Sequence, residues 1–234
     1  MSTREQVYGR RPVREALRGR REVLRVYCSD RAARGADWLP GGVEVVSAER
    51  LSELAGSEDH QGLVAEVTPY PYADADRLLE RDRALLVALD EVTDPHNLGA
   101  VARVCEGAGA DGLLITRRRS AAVTPAVCRA SAGAVEHLEI AQVENLADML
   151  IRARRPGLWS YAADAEGDLP YDRNDYRDGT VFVLGAEGRG LRPRVRDSCD
   201  AAATIPMRGR VESLNVGTAA AVLLFEVVRQ RRGG

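Results

Sequence analysis

From Ala84 onward, short apolar runs alternate with segments of helical periodicity, and this alternation limits the possible folds more than any other feature. The apolar runs predict strands at 85–89, 113–115, 181–184 and 202–206. Helices are predicted at 97–108, 126–132, 145–154 and 214–231. Continuous apolar strands are typical of a parallel sheet buried on both faces. Their alternation with helices therefore predicts an α/β domain with a mainly parallel sheet.

A smaller α/β unit precedes this domain. Strands are predicted at 23–28, 43–46 and 63–68, and short helices are predicted to open at Pro12 and to cover 49–55. The segment 69–72 holds two prolines in three residues, and prolines so closely spaced interrupt regular structure. We therefore expect a first domain at 1–69, a linker at 70–83 and a second domain at 84–234.

Composition and cysteine spacing exclude several classes of protein. The 234 residues are 45% hydrophobic and 29% charged, which is ordinary for a globular protein. The longest apolar stretch, 219–225, is far shorter than the roughly 20 residues that span a bilayer, so no membrane protein is expected. The four cysteines form no C-x-x-C pair and the first residues are polar and basic, which favours the reduced cytoplasm. The three histidines lack ligand spacing, so no metal site is expected.

All 33 basic residues are arginine, although the net charge is only −2. Residues 1–21 hold seven arginines against two acids, three arginines occupy 117–119, and two more occupy 208 and 210. The planar arginine fork pairs well with phosphate. Clustered arginine therefore favours contact with a nucleic acid backbone, and the alternative is a set of solvated faces.

The first segment that could carry chemistry connects a predicted strand to a helix, at 94–99. Asn97 is predicted to cap this helix, and Arg103 points away from its apolar stripe. Ligands of open α/β sheets bind at the carboxyl ends of the strands, where this segment lies. The alternative interpretation is a capped helix with a solvated arginine.

The second segment, 184–191, follows a predicted strand directly and holds three glycines in six residues. Glycine allows the backbone to turn sharply and to approach a ligand closely, so this segment is predicted to bind a ligand. Glu187, in its middle, is either a solvated carboxylate or a fixed hydrogen-bond acceptor.

The third segment, 205–216, follows a predicted strand with a basic loop and leads into an apolar helix that we expect Ser213 to cap. A helix that is apolar all round is buried. Asn215, in its first turn, would then be a polar group near the core, and such a group needs a partner. It either braces a loop or contacts a ligand.

A G-x-G-x-x-G pattern at 107–112 does not predict a dinucleotide site. The dinucleotide fingerprint requires a strand before the glycines and a helix after them. Here the helix comes first, so the pattern indicates the end of a helix.

In this order, the segments 97–103, 182–191 and 205–216 resemble the three motifs of the SpoU/TrmH family of RNA ribose 2′-O-methyltransferases. The segments 8–17, 60–62 and 131–137 are similar to the branch of that family that carries a small substrate-binding domain. Known members of this branch methylate a guanosine in 23S ribosomal RNA. The chain departs from the family at Gly217, where a serine is common.

The resemblance implies a catalytic α/β domain with a trefoil knot, preceded by an L30e-like RNA-binding domain. It implies a homodimer formed through the knotted domain, with S-adenosylmethionine as the methyl donor. The residues it assigns to the cofactor are Leu184, Gly185, Gly188, Ile205, Met207, Ser213 and Leu214. The residues it assigns to catalysis are Asn97, Arg103, Glu187, Ser213 and Asn215.

The implied reaction is the transfer of a methyl group to a ribose 2′-hydroxyl in ribosomal RNA. Because a guanidinium is not deprotonated in proteins, our hypothesis is that Arg103 holds the ribose or an adjacent phosphate, and that Asn97 orients it. The alternatives are a transfer RNA ribose methyltransferase, a methyltransferase that confers antibiotic resistance, and an inactive RNA-binding protein. The sequence identifies neither the modified nucleotide nor the general base.

Overall fold

The computed structural model describes residues 4–165, 167 and 169–232, which form two sheets. The amino-terminal sheet has the strand order β1-β4-β2-β3, in which β4 is antiparallel to both of its neighbours and β3 is parallel to β2. The elements of this unit are β1 (Glu5–Tyr8), α1 (Arg10–Ala16), β2 (Val23–Cys28), α2 (Asp30–Gly35), β3 (Glu44–Val45), α3 (Ala48–Ala55) and β4 (Leu63–Val67).

The second sheet has six strands in the order β10-β8-β9-β5-β6-β7, and every neighbouring pair is parallel. This confirms the predicted α/β fold with a mainly parallel sheet. Its elements are β5 (Leu85–Asp90), α5 (Pro95–Ala108), β6 (Gly112–Thr116), α6 (Pro125–Ala130), β7 (Ile140–Val143), α7 (Leu146–Ala153), β8 (Leu158–Ala163), β9 (Gly179–Gly185), α8 (Pro193–Ser198), β10 (Ala201–Ala203) and α9 (Val216–Arg232).

Both faces of this sheet are covered, as the uninterrupted apolar runs predict. Alternate residues of β5 divide between two cores. Leu85, Val87 and Leu89 pack on the face covered by α5 and α9. Leu86 and Ala88 pack on the opposite face, against α7.

Several boundaries differ from the predictions. The predicted linker at 70–83 contains a short helix, α4 (Ala75–Leu79), whose first turn is capped by Asp74 and whose Leu78 is buried. The strand predicted at 202–206 is only β10. The elements β1, α2, β7, β8 and α8 were not predicted. β7 has only four residues and β8 contains a serine, and their periodicity is therefore weak.

The two units meet at a buried ion pair. The guanidinium of Arg21, before β2, donates from Nε to Oε2 of Glu136 at 2.9 Å, and its Nη2 also contacts that carboxylate. The side chains are 1% and 0% exposed. Glu136 lies in a short 3-10 helix, Ala134–Glu136, of the second unit. Tyr70 donates to the Leu138 carbonyl at 2.7 Å and adds a second link.

Candidate methyltransferase site

A cleft of about 670 Å³ lies at the carboxyl end of β9, beside the first turn of α9. A smaller cavity of about 120 Å³ shares part of its wall. The seven residues that the family resemblance assigns to a cofactor line these two cavities: Leu184, Gly185, Gly188, Ser213 and Leu214 line the first, and Ile205, Met207, Ser213 and Leu214 line the second. The second and third sequence segments therefore meet in one place.

The glycines of 184–191 have distinct structural roles. Gly188 and Gly190 have φ angles of +76° and +65°, which are strained for residues that carry a side chain. A Cβ atom on Gly185 would collide with the carbonyl group of Gly190. The segment thus folds back on its own start, and its backbone forms a wall of the cleft.

Asn215 is the centre of a polar cluster at the mouth of the cleft. Its Nδ2 donates to Oδ1 of Asn97 at 2.8 Å and also to Oε1 of Glu187. Its Oδ1 accepts from the backbone N–H of Gly217 at 2.9 Å. One amide therefore caps α9 and joins the three sequence segments.

Two predicted caps are wrong. Asp94, not Asn97, caps α5, because Asp94 Oδ1 accepts from the N–H of His96 at 2.9 Å. Pro95 occupies the first helical position, which it suits because it has no N–H to leave unpaired. Ser213 lies outside α9, in the exposed loop before it, and Asn215 caps that helix instead. The side chain of Asn97 is thereby left to bind Asn215.

The prediction that the last helix is buried all round is also wrong. One face of α9 packs against α5, but Phe225 on the outer face is 51% exposed. The close packing explains Gly217. A Cβ atom there would lie 2.8 Å from the Cβ of Ala100 on α5, so a serine would force the two helices apart.

Arg103 lies apart from the polar cluster. It occupies α5 six residues after Asn97 and lines a different groove with Arg11, Arg14 and His137. It is exposed, and no other described residue forms a hydrogen bond or ion pair with its guanidinium. The structure thus brings together Asn97, Glu187 and Asn215 and places Ser213 on the wall of the same cleft, but does not join Arg103 to them within one chain.

Sequence reasoning missed an ion pair that holds the cleft loop. Asp90, at the end of β5, is buried and accepts from the backbone N–H of Arg192 and from its Nε, both at 2.9 Å. These hydrogen bonds raise the pKa of Arg192. The pair fastens the end of 184–191 to the central strand. The signal in the sequence that could have indicated this ion pair is an aspartate at the end of an apolar strand.

Metal-binding and membrane-spanning features are absent from the part of the chain that the structure describes. No three His, Cys, Asp or Glu side chains within 4–165, 167 and 169–232 are grouped so as to hold a metal ion. Within the same residues, every helix is too short or too polar to cross a bilayer.

The family model of the SpoU rRNA methylases matches residues 84–225. The chain belongs to the SpoU methylase family. A second model, for RNA 2′-O ribose methyltransferase substrate binding, matches residues 6–73. Membership confirms the resemblance of the three segments, and the cleft and the polar cluster lie within the SpoU methylase unit.

Relatives agree with this assignment. A Mycobacterium avium protein named as an uncharacterized tRNA/rRNA methyltransferase is 41% identical over 98% of this chain and 78% of its own length. The SpoU methyltransferase AviRb from Streptomyces viridochromogenes, solved with AdoMet, is 29% identical with a TM-score of 0.83, covering 98% of this chain and 91% of its own. An AdoMet-bound rRNA methyltransferase from Sinorhizobium meliloti is 26% identical with a TM-score of 0.80, covering 97% and 87%.

Proposed function

We propose that this SpoU methylase transfers a methyl group from S-adenosylmethionine to a ribose 2′-hydroxyl in ribosomal RNA, at a guanosine of 23S rRNA. The observation that carries the proposal is the polar cluster of Asn97, Glu187 and Asn215 at the mouth of a cleft of about 670 Å³. Such a volume is typical of small-molecule sites. The cluster offers amide and carboxylate groups where a sugar hydroxyl would meet a bound methyl donor.

The cleft suits S-adenosylmethionine. Leu184, Ile205 and Leu214 provide apolar contact, and the turn around Gly185 and Gly188 provides backbone groups. Met207 and Ser213 flank these residues. When bound, the cofactor supplies an electrophilic methyl group on a sulfonium.

The residues of the cluster hold the acceptor ribose in place. Holding two reactants in line is worth several kcal/mol of the barrier. The amide of Asn215 fixes both Asn97 and Glu187, so the carboxylate of Glu187 has a defined direction toward a hydroxyl proton. Because a guanidinium is not deprotonated in proteins, we assign Arg103 to the phosphate or ribose rather than to proton removal.

Ribosomal RNA is favoured over transfer RNA by two observations. The methylase model that matches residues 84–225 describes SpoU rRNA methylases, and the Sinorhizobium meliloti relative is named an rRNA methyltransferase. The Mycobacterium avium relative carries both substrates in its name, so transfer RNA is the alternative that the experiment below must test.

We further propose that the protein is a cytoplasmic homodimer whose methylase domain is knotted. The exposed Phe225 on α9, with the half-buried Ala221, Val222 and Val228, offers an apolar face for a second copy. Four free cysteines agree with a reducing compartment. We keep the domain division at 1–69, 70–83 and 84–234 as part of the proposal; the two family models leave 74–83 between them.

The test is methyl transfer from labelled S-adenosylmethionine to unmodified 23S rRNA, 16S rRNA and bulk transfer RNA. We expect label in 23S rRNA alone. Label only in transfer RNA would keep the chemistry and change the substrate. Tight RNA binding without cofactor binding or label would contradict the proposal and identify an inactive RNA-binding protein.

A further inference from the structure

A groove of about 220 Å³ lies where α1 of the first unit meets α5 and the segment 131–137 of the second. Three arginines and one histidine line it, against two carboxylates: Arg11, Arg14, Arg103, His137, Glu15 and Glu106. The groove is separate from the cofactor cleft, and none of its residues belongs to the polar cluster.

The arginines that line this groove carry more positive charge than the carboxylates beside them neutralise. Glu15 already faces two arginines and one imidazole: its Oε1 lies 2.9 Å from Nε of Arg14 and 3.8 Å from Nη1 of Arg18, and its Oε2 lies 2.9 Å from Nε2 of His137. Within the described residues, Arg11 and Arg103 are exposed and have no hydrogen-bond or ion-pair partner. An anion from outside would complete their pairing.

The backbone that forms the groove is held in place. Ala132 and Gly133 both have left-handed backbone angles, with φ of +54° and +89°. A Cβ atom on Gly133 would lie 2.7 Å from the Cβ of Glu15, so the two units approach as closely as glycine allows. Such strain in a non-glycine residue persists only where the surroundings fix it, as at ligand sites. The buried pair of Arg21 with Glu136 locks the same junction.

The shape of the groove indicates phosphate rather than a base or a whole nucleotide. No phenylalanine, tyrosine or tryptophan lines it, so it lacks the large aromatic rings on which many proteins stack unpaired bases. Its volume is below the range of drug-sized ligand sites. Arginine forks, by contrast, match phosphate oxygens in pairs.

We propose that this groove holds the phosphodiester backbone of the RNA beside the nucleotide to be methylated, with Arg11 and Arg14 as positioning residues. The proposal rests on the proposed function, because it takes RNA as the substrate. Arg103 lies six residues after Asn97 on α5, which is about 9 Å along the helix axis. RNA that lies along α5 would therefore contact both the phosphate groove and the polar cluster.

The test uses the 234-residue chain, a 23S rRNA fragment and no cofactor, with binding measured over a range of salt concentrations. Arg11→Gln removes one charge and breaks no hydrogen bond or ion pair with the described residues. Arg152→Gln is the matched control, because Arg152 is equally exposed and unpaired within the described residues but lies on α7, across the sheet. We expect Arg11→Gln to weaken binding about tenfold at low salt and to lower the salt slope by about 1. Arg11→Lys should restore most of both.

Catalysis provides the second measurement. With saturating S-adenosylmethionine, Arg11→Gln should raise KM for RNA and change kcat by less than about twofold, while cofactor affinity stays at the wild-type value. Equal RNA affinity and salt slope for Arg11→Gln, Arg152→Gln and wild type would overturn the proposal. Absence of methyl transfer by the wild type would instead refute the proposed function, and the binding measurement would still decide whether the groove holds RNA.

Discussion

Asn97 and Asn215 lie 118 positions apart in the sequence, yet their side-chain amides share a hydrogen bond of 2.8 Å. The bond exists because α5 and α9 pack side by side with their first turns adjacent. Glu187 accepts from the same amide nitrogen of Asn215. The cluster thus depends on one residue that also caps a helix, and the two roles can be separated.

Substitution of Asn215 separates the cap from the cluster. Asn215→Ser keeps a good cap but is too short to reach both partners, so we expect near wild-type stability and a loss of about 100-fold in kcat from misplacement of the acceptor. Asn215→Ala should lose the same activity and also about 1 kcal/mol of stability. Urea unfolding and initial rates of methyl transfer measure the two effects. Equal activity of Asn215→Ser and wild type would refute the role of the cluster.

Gly185→Ala tests the folded-back loop. The added methyl group would collide with the carbonyl group of Gly190, and overpacking of this kind costs about 1–3 kcal/mol. We expect weaker binding of S-adenosylmethionine by at least tenfold, measured by calorimetry. Gly107→Ala is the control, because Gly107 lies within α5 with no atom of another described element within 4 Å of the added Cβ. This variant should raise the free energy of unfolding by about 0.5–1 kcal/mol and leave the cofactor affinity unchanged.

The buried pair of Arg21 and Glu136 should couple the two units. Arg21→Met leaves the Glu136 carboxylate, 0% exposed, without its main partner, and breaking such a pair costs about 3–5 kcal/mol. The double variant Arg21→Met with Glu136→Leu should recover most of that loss. Denaturant unfolding of the single and double variants gives the coupling. Additive losses would show that the two side chains do not act as a pair.

The ionised carboxylate of Glu226 should contribute folding stability that is lost in acid. Its hydrogen bonds with Arg229, from Nε and Nη2 at 2.7 Å, lower the pKa of the carboxyl group below 4.5, outweighing the effect of burial. A carboxyl group whose pKa is lower in the folded than in the unfolded protein stabilises the fold at pH values above its unfolded pKa. This contribution is lost as the pH falls through the folded pKa. Glu226→Gln should therefore be less stable than wild type near neutral pH, and the difference should vanish in acid. A constant difference across the pH range would contradict this assignment.

The sequence predicted the architecture well where hydrophobic pattern decides it. The buried strand β5 and the long helix α9 are close to their predicted positions, because a continuous apolar run has few alternatives. The end of the short strand β10 and the existence of the helix α4 depend on tertiary packing, and the local pattern was too weak to predict them.

The geometry of the candidate site could not be predicted from the sequence. The sequence placed Asn97 and Ser213 as caps, whereas Asp94 and Asn215 perform that role. Neighbouring polar residues compete for each helix terminus, and only the packing of α9 on α5 decides between them. The separation of Arg103 from the cluster likewise depends on which face of α5 meets the first unit.

The most direct measurement is alkaline digestion of 23S rRNA that the wild-type protein has labelled from S-adenosylmethionine. A 2′-O-methyl group removes the hydroxyl that attacks the neighbouring phosphodiester, so the label should appear in an alkali-resistant dinucleotide beginning with guanosine. Asn215→Ser should reduce this product about 100-fold. Label in a mononucleotide would mean methylation of a base, and it would contradict ribose methylation by this cleft.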